Sequence, residues 1–135
     1  IPSLWELAGP LAEGIMFGTS ASVNADHSPA AQRLAERIVL KYGTSTPSFT
    51  FAAQGYDATK MLLQAISESQ TTERTAIRDA LEAISRVDGV AKTYVHPFSS
   101  DNHEAFTVSD IILAHWVDGT VVRYDDPTLA DLNPR

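Results

Sequence analysis

Phe51-Ala52-Ala53-Gln54-Gly55-Tyr56-Asp57-Ala58-Thr59-Lys60-Met61-Leu62-Leu63-Gln64-Ala65-Ile66 is the stretch on which the fold turns. Apolar residues recur in it at spacings of three and four, which predicts a helix from Phe51 that ends over Ser67 to Gln70. The apolar arc is wide, so this helix is expected to be buried on two sides. Few strands can be read elsewhere in the chain, too few to cover such a helix. The segment therefore expects a packing partner that these residues do not supply.

Upstream, Ser28-Pro29 opens another helix, with Ser as N-cap and Pro at the first helical position. Ala31, Leu34, Ala35, Ile38 and Val39 form its apolar face, while Arg33, Glu36 and Arg37 face away. Lys41 sits in the last turn and Gly43 is a natural stop. A loop from Thr44 to Ser48 joins the two helices. Before them, Leu4 to Leu11 reads as a short helical turn or loop, and Gly14 to Thr19 as a buried strand bounded by glycines. Ser20 to His27 is polar and irregular.

Downstream, a third helix is expected from about Glu73 to Ser85, with Thr71 or Thr72 as its cap. After Asp88-Gly89 the period falls to about two. Thr93-Tyr94-Val95 is a short strand, Ser99 to Glu104 a polar loop, and Phe106 to Val117 one long β-prone segment. Asp118-Gly119 is a hairpin turn that sends Val121 to Tyr124 back antiparallel. The tail from Asp125 to Arg135 has few anchors. The class is α/β: a strand, three helices, then a β-rich end.

The 135 residues are 44% hydrophobic and 20% charged, enough for a real core in a single domain. The net charge of −7, with only ten Lys and Arg spread along the chain, argues against a nucleic-acid partner. The absence of Cys excludes disulfides, thiolate-bound zinc and a Cys nucleophile. No apolar run has the length of a membrane span. The opening Ile1-Pro2-Ser3-Leu4-Trp5 lacks an initiator Met and leader character, which suggests a processed product or an excised fragment.

No catalytic constellation is found. There is no Gly-x-Ser-x-Gly elbow, and the glycines are scattered rather than gathered into a phosphate loop. His96, Asp101 and His103 share a loop but lack metal-ligand spacing, and they read as surface polar residues. His27 and His115 are isolated, and Asp125-Asp126 lacks a calcium-loop pattern. No cofactor or metal is expected.

Three segments, in order, carry a family resemblance. They are Ala8-Gly9-Pro10-Leu11-Ala12-Glu13-Gly14 before an apolar strand, and Lys41-Tyr42-Gly43 followed by a Pro-containing loop and Phe51-Ala52-Ala53-Gln54-Gly55-Tyr56-Asp57-Ala58. The third is Ala76-Ile77-Arg78-Asp79-Ala80-Leu81-Glu82, then Val87-Asp88-Gly89-Val90 and the Asp118-Gly119 hairpin. Together they resemble the C-terminal portion of Leu/Ile/Val-binding proteins of ABC transporters, the type I periplasmic binding proteins.

The resemblance implies part of a two-lobed α/β fold, three helices plus a β-rich hairpin, with neither lobe complete. Residues 1–19 and 110–135 would belong to the second lobe and 24–105 to the first, with hinge crossings near 19–23 and 106–110. It implies an extracytoplasmic or periplasmic solute-binding protein, not an enzyme, that closes on a small molecule such as an amino acid or related small acid. Its partners would be a membrane permease and either the missing N-terminal section or a second copy. The alternatives are a ligand-sensing regulatory domain of the same fold and, remotely, a small α/β enzyme.

By resemblance, Phe51 is the ligand contact from the first lobe, with Phe49 and Gln54 as neighbours, and most head-group contacts lie outside this stretch. Tyr56 reads as core packing with a satisfied hydroxyl. Two departures bear on the ligand: Lys92 stands where the family often has Gly, and His96-Pro97-Phe98-Ser99-Ser100-Asp101-Asn102-His103 replaces a Phe-Asp-x-x-Gly-Asp pattern. They leave the fold as expected but the substrate open.

Overall fold

The computed structural model describes residues 2–20, 28–43 and 48–125. Most of the polar stretch up to His27, the loop 44–47 and the tail from Asp126 lie outside them. The elements run α1 (Pro2–Ala8), a 3-10 turn (Gly9–Ala12), β1 (Met16–Thr19), α2 (Pro29–Tyr42), α3 (Phe49–Ser69) and α4 (Arg74–Glu82). They continue with β2 (Arg86–Asp88), β3 (Thr93–Val95), a second 3-10 turn (Val108–Asp110), β4 (Ile112–Val117) and β5 (Thr120–Arg123).

The helices begin and stop where local chemistry directs. Ser28 Oγ accepts the Ala31 N–H at 3.1 Å, a cap worth about 1 kcal/mol. Gly43, at φ 78°, takes the left-handed position that ends α2. The expectation for α4 needs correction, because Glu73 occupies the N-cap position and its side chain makes no cap bond. Thr71 Oγ1 instead accepts the Glu73 N–H at 3.2 Å. The helix stops at Glu82, so Ile84 enters the core from beyond it, 1% exposed.

Two sheets form. β1, β4 and β5 make an antiparallel sheet in the order β1-β4-β5, with Met16 opposite His115 and Trp116 opposite Val121. Asp118 and Gly119, both at positive φ, turn β4 into β5. The rings of Trp5 and Trp116 stack at 5.7 Å, fixing α1 on this sheet. β2 and β3 make a separate hairpin, with Val87 opposite Tyr94. Strand β2 is an addition to the sequence reading, which after the third helix resumed β structure only beyond Gly89. Likewise the single segment expected from Phe106 to Val117 is broken. Thr107 and Asp110 close a reciprocal capping box around the second 3-10 turn, and β4 starts only at Ile112.

Two apolar clusters hold α2, α3 and α4 to the β2–β3 hairpin. One gathers Ala31, Ala53, Val90 and Ala91, with Leu34 and Phe49 against it. The other gathers Met61, Ile84, Val87 and Tyr94, with Leu81 and Phe98 against it. Phe106 touches both, and its ring meets Tyr94 edge-on at 5.7 Å.

A buried carboxylate joins α3 to the hairpin. Asp57 is fully buried and accepts the Val90 N–H at 2.6 Å, the Ala91 N–H at 2.8 Å and the Tyr94 hydroxyl at 3.1 Å. A carboxylate removed from water needs such donors, and here three meet it. Burial, and then the neighbouring Asp57 charge, push the Tyr94 phenol above its ordinary range.

The expectation that α3 is buried on two sides holds on one side only. Ala53, Asp57, Met61 and Ala65 are buried, whereas Phe51, Tyr56, Leu62 and Leu63 are exposed. Tyr56 is therefore not a core residue in this chain. Leu40 and Tyr42 of α2 and Leu7 of α1 are exposed as well. Large apolar side chains exposed in this number, several of them on α3, point to surface that packs against something else.

Candidate functional site

A cavity of about 520 Å³ opens between the β1–β4 sheet and the first turns of α3, within the size range of small-molecule sites. One wall is Ile15 and Phe17 around β1, with Trp116 of β4. The other is Thr50, Phe51 and Gln54 of α3, and Phe106 and Ile111 lie along the stretch that leads back to β4. Two hydrogen bonds span the walls. Thr19 Oγ1 and Thr50 Oγ1 are 2.7 Å apart, and Gln54 Nε2 donates to Ser20 Oγ at 2.7 Å.

The cavity is mostly apolar, with hydroxyls from both walls and the Gln54 amide, and among the described residues no ionisable side chain lines it. Such a surface receives a hydrocarbon or aromatic group and can orient a neutral polar one. A charged head group would need partners from elsewhere.

Of the candidates read from sequence, Phe51 and Gln54 stand in this wall. Phe51 is 69% exposed, unusual for so large an apolar ring. Phe49 packs against the Ala31/Ala53/Val90/Ala91 cluster. The division is geometric, since residues two apart on a helix point about 200° away from each other. Sequence reasoning missed Thr19, Ser20, Thr50 and Trp116. The only local signal was the run of small polar residues at the end of β1, and Trp116 arrives through strand pairing.

His96, Asp101 and His103 are exposed, and His103 Nε2 lies 3.8 Å from Glu82 Oε1. Among the described residues no group of three His, Cys, Asp or Glu side chains could hold a metal ion. No helix among them is long and apolar enough to cross a membrane.

Lys92 lies beside this site. Its ammonium donates to Asp110 Oδ2 at 2.5 Å and to the Ala105 carbonyl at 3.2 Å, and stands 5.4 Å from the ring centroids of Tyr94 and Phe106. It thus ties the β2–β3 hairpin to the segment that returns to β4. Burial raises the Asp110 carboxyl, but hydrogen bonds from Lys92 and from the Thr107 N–H and hydroxyl outweigh it and hold the group below its usual range.

Solved structures share this fold. A leucine-binding protein, LivK, from Thermotoga maritima superposes with a TM-score of 0.73 at 25% identity, over 94% of this chain and 35% of that one. A candidate branched-chain amino acid ABC transporter from Rhodospirillum rubrum gives 0.66 at 26% identity, over 92% and 34%. A type 1 periplasmic binding protein from Bordetella pertussis gives 0.70 at 23%, over 89% and 35%. The fold is thus that of a type I periplasmic binding protein, present in part, and the chain spans about a third of the length of these proteins. The sequence profile of the family "Periplasmic binding protein" matches residues 1–120. The chain belongs to that family. A search of curated proteins finds no match.

Proposed function

We propose that these residues are the C-terminal part of an extracytoplasmic solute-binding component of an ABC uptake transporter, working with a membrane permease. The ligand is a small molecule with an apolar body, an amino acid or related small acid. The observation that carries this reading is the cavity of about 520 Å³, in which the exposed Phe51 ring faces a wall built from β1 and β4. Phe51 covers the apolar part of the ligand, and Gln54 and the Thr19/Thr50 hydroxyls border its polar part.

In this reading residues 1–19 and 110–135 belong to one lobe and 24–105 to the other. Supporting it, β1 and β4 share a sheet, while α2, α3, α4 and the β2–β3 hairpin share separate apolar clusters. Crossings near 19–23 and 106–110 would serve as hinges. The remaining lobe sections cover the exposed apolar face of α3.

The test is a thermal-shift screen of the protein as its gene encodes it against amino acids, amides and aromatic acids. It is followed by calorimetric titration of each hit with wild type and Phe51→Ala. Saturable binding of such a ligand, weakened by the substitution, is expected. Hits indifferent to Phe51→Ala, or turnover of any compound in the panel, would count against the reading.

A further inference from the structure

A second concavity, of about 340 Å³, lies between α2 and α3 and is floored by the Asp88–Val90 turn. In a chain of net charge −7 it is cationic, lined by Arg33 and Arg37 of α2 and Lys60 of α3. Arg33 and Arg37 are four residues apart and therefore share a helix face. Among the described residues, neither guanidinium has a hydrogen bond or ion pair.

The carboxylate in the lining, Asp88, does not neutralise them. Its Oδ1 is taken by Arg86, at 3.0 and 2.7 Å, and by the Thr93 hydroxyl at 3.1 Å. Lys60 Nζ donates to the Asp88 carbonyl at 2.6 Å, which holds the ammonium at the rim with donors to spare. Tyr56 and Leu34 complete an apolar side.

Two unpaired guanidiniums and a fixed ammonium around a concavity offer planar forked donors and a point charge to the several acceptor oxygens of an oxyanion. We propose that this concavity is a binding site for a small oxyanion, a carboxylate or a phosphate, separate from the Phe51 cavity. Arg33 and Arg37 supply forked donors, Lys60 a point charge, and the Tyr56 ring a side wall for the ligand's carbon skeleton. The site requires nothing of the cleft ligand, so either assignment can fail without the other.

The test is calorimetric titration of the protein as its gene encodes it with inorganic phosphate and, separately, with succinate, at low ionic strength. Saturable one-site binding of at least one anion is expected, and the tighter of the two assigns the ligand class. The Arg33→Gln/Arg37→Gln double variant should weaken it by about ten-fold or more, a loss typical of a charge-assisted pair. Lys60→Gln, which leaves both guanidiniums in place, should weaken it less. Both variants alter exposed side chains and should melt as wild type does. Absence of saturable binding to either anion, or unchanged affinity in a double variant that melts normally, would overturn the proposal.

Discussion

Asp57 and Gly89, thirty-two positions apart in the numbering, meet so closely that a methyl group on Gly89 would overlap the Asp57 carboxylate and lie 2.7 Å from the Lys92 carbonyl. The glycine is needed for space rather than for a left-handed backbone, since its φ is not in that region. Gly89→Ala should therefore destabilise the protein by about 1–3 kcal/mol, the usual range for overpacking. A urea melt without that loss would show that the hairpin relaxes freely.

Asp57→Asn keeps the shape but presents an amide NH₂ where an acceptor is needed. One backbone N–H of Val90 or Ala91 then loses its partner, at a cost of about 1–3 kcal/mol. Tyr94→Phe removes only the hydroxyl donor and should cost about 1 kcal/mol. The order Asp57→Asn worse than Tyr94→Phe, read from denaturant midpoints, is the outcome to check.

Asp110 sets a pH dependence. Its folded pKa lies below the unfolded one, so the stability it contributes is fully present above about pH 4 and lost as pH falls through the folded value. Wild type should exceed Asp110→Asn in stability at neutral pH, by about 1–2 kcal/mol for a partly buried, charge-assisted pair. The two should converge in acid. Parallel curves across the acid range would remove Asp110 from the account.

Phe51→Ala should leave stability nearly unchanged, because the ring is mostly exposed. It should reduce affinity for the cleft ligand by about ten-fold, as loss of an aromatic wall commonly does. A large fall in melting temperature would mean that the ring packs against the rest of the protein instead.

The 135 residues expressed alone should not behave as a stable monomer. Leu62, Leu63, Leu40 and Leu7 would remain in water. Light scattering should report association, and a cooperative monomeric melt would contradict this expectation.

Much of the helical structure was legible because its signals are local. The Ser28 cap, the Gly43 stop and the three-four spacing of α3 each sit within a few residues of what they specify. Strand β2 was not legible, since Arg86-Val87-Asp88 offers a single apolar residue and owes its pairing to Tyr94. Asp57 looked like an ordinary polar position because its donors come from a hairpin more than thirty residues away. The same limit governs the cavity. Phe51 and Gln54 could be named from the resemblance, but Thr19 and Trp116 become neighbours of α3 only after β1 pairs with β4. Arg33 and Arg37 read as a solvated face, because nothing local reveals that Lys60 and the Asp88 turn close a concavity beside them.

The pairing of Met16 with His115 also sets an order of events during synthesis. Strand β1 leaves the ribosome roughly a hundred residues before its partner. Closing so long a loop costs entropy and slows folding. Helices α2 to α4 and the β2–β3 hairpin lie wholly inside that loop and can condense first, which shortens the effective gap between the strand ends. Until β4 emerges, the side of β1 that will pair with it is an open strand edge, exposed to wrong pairing while the nascent chain grows.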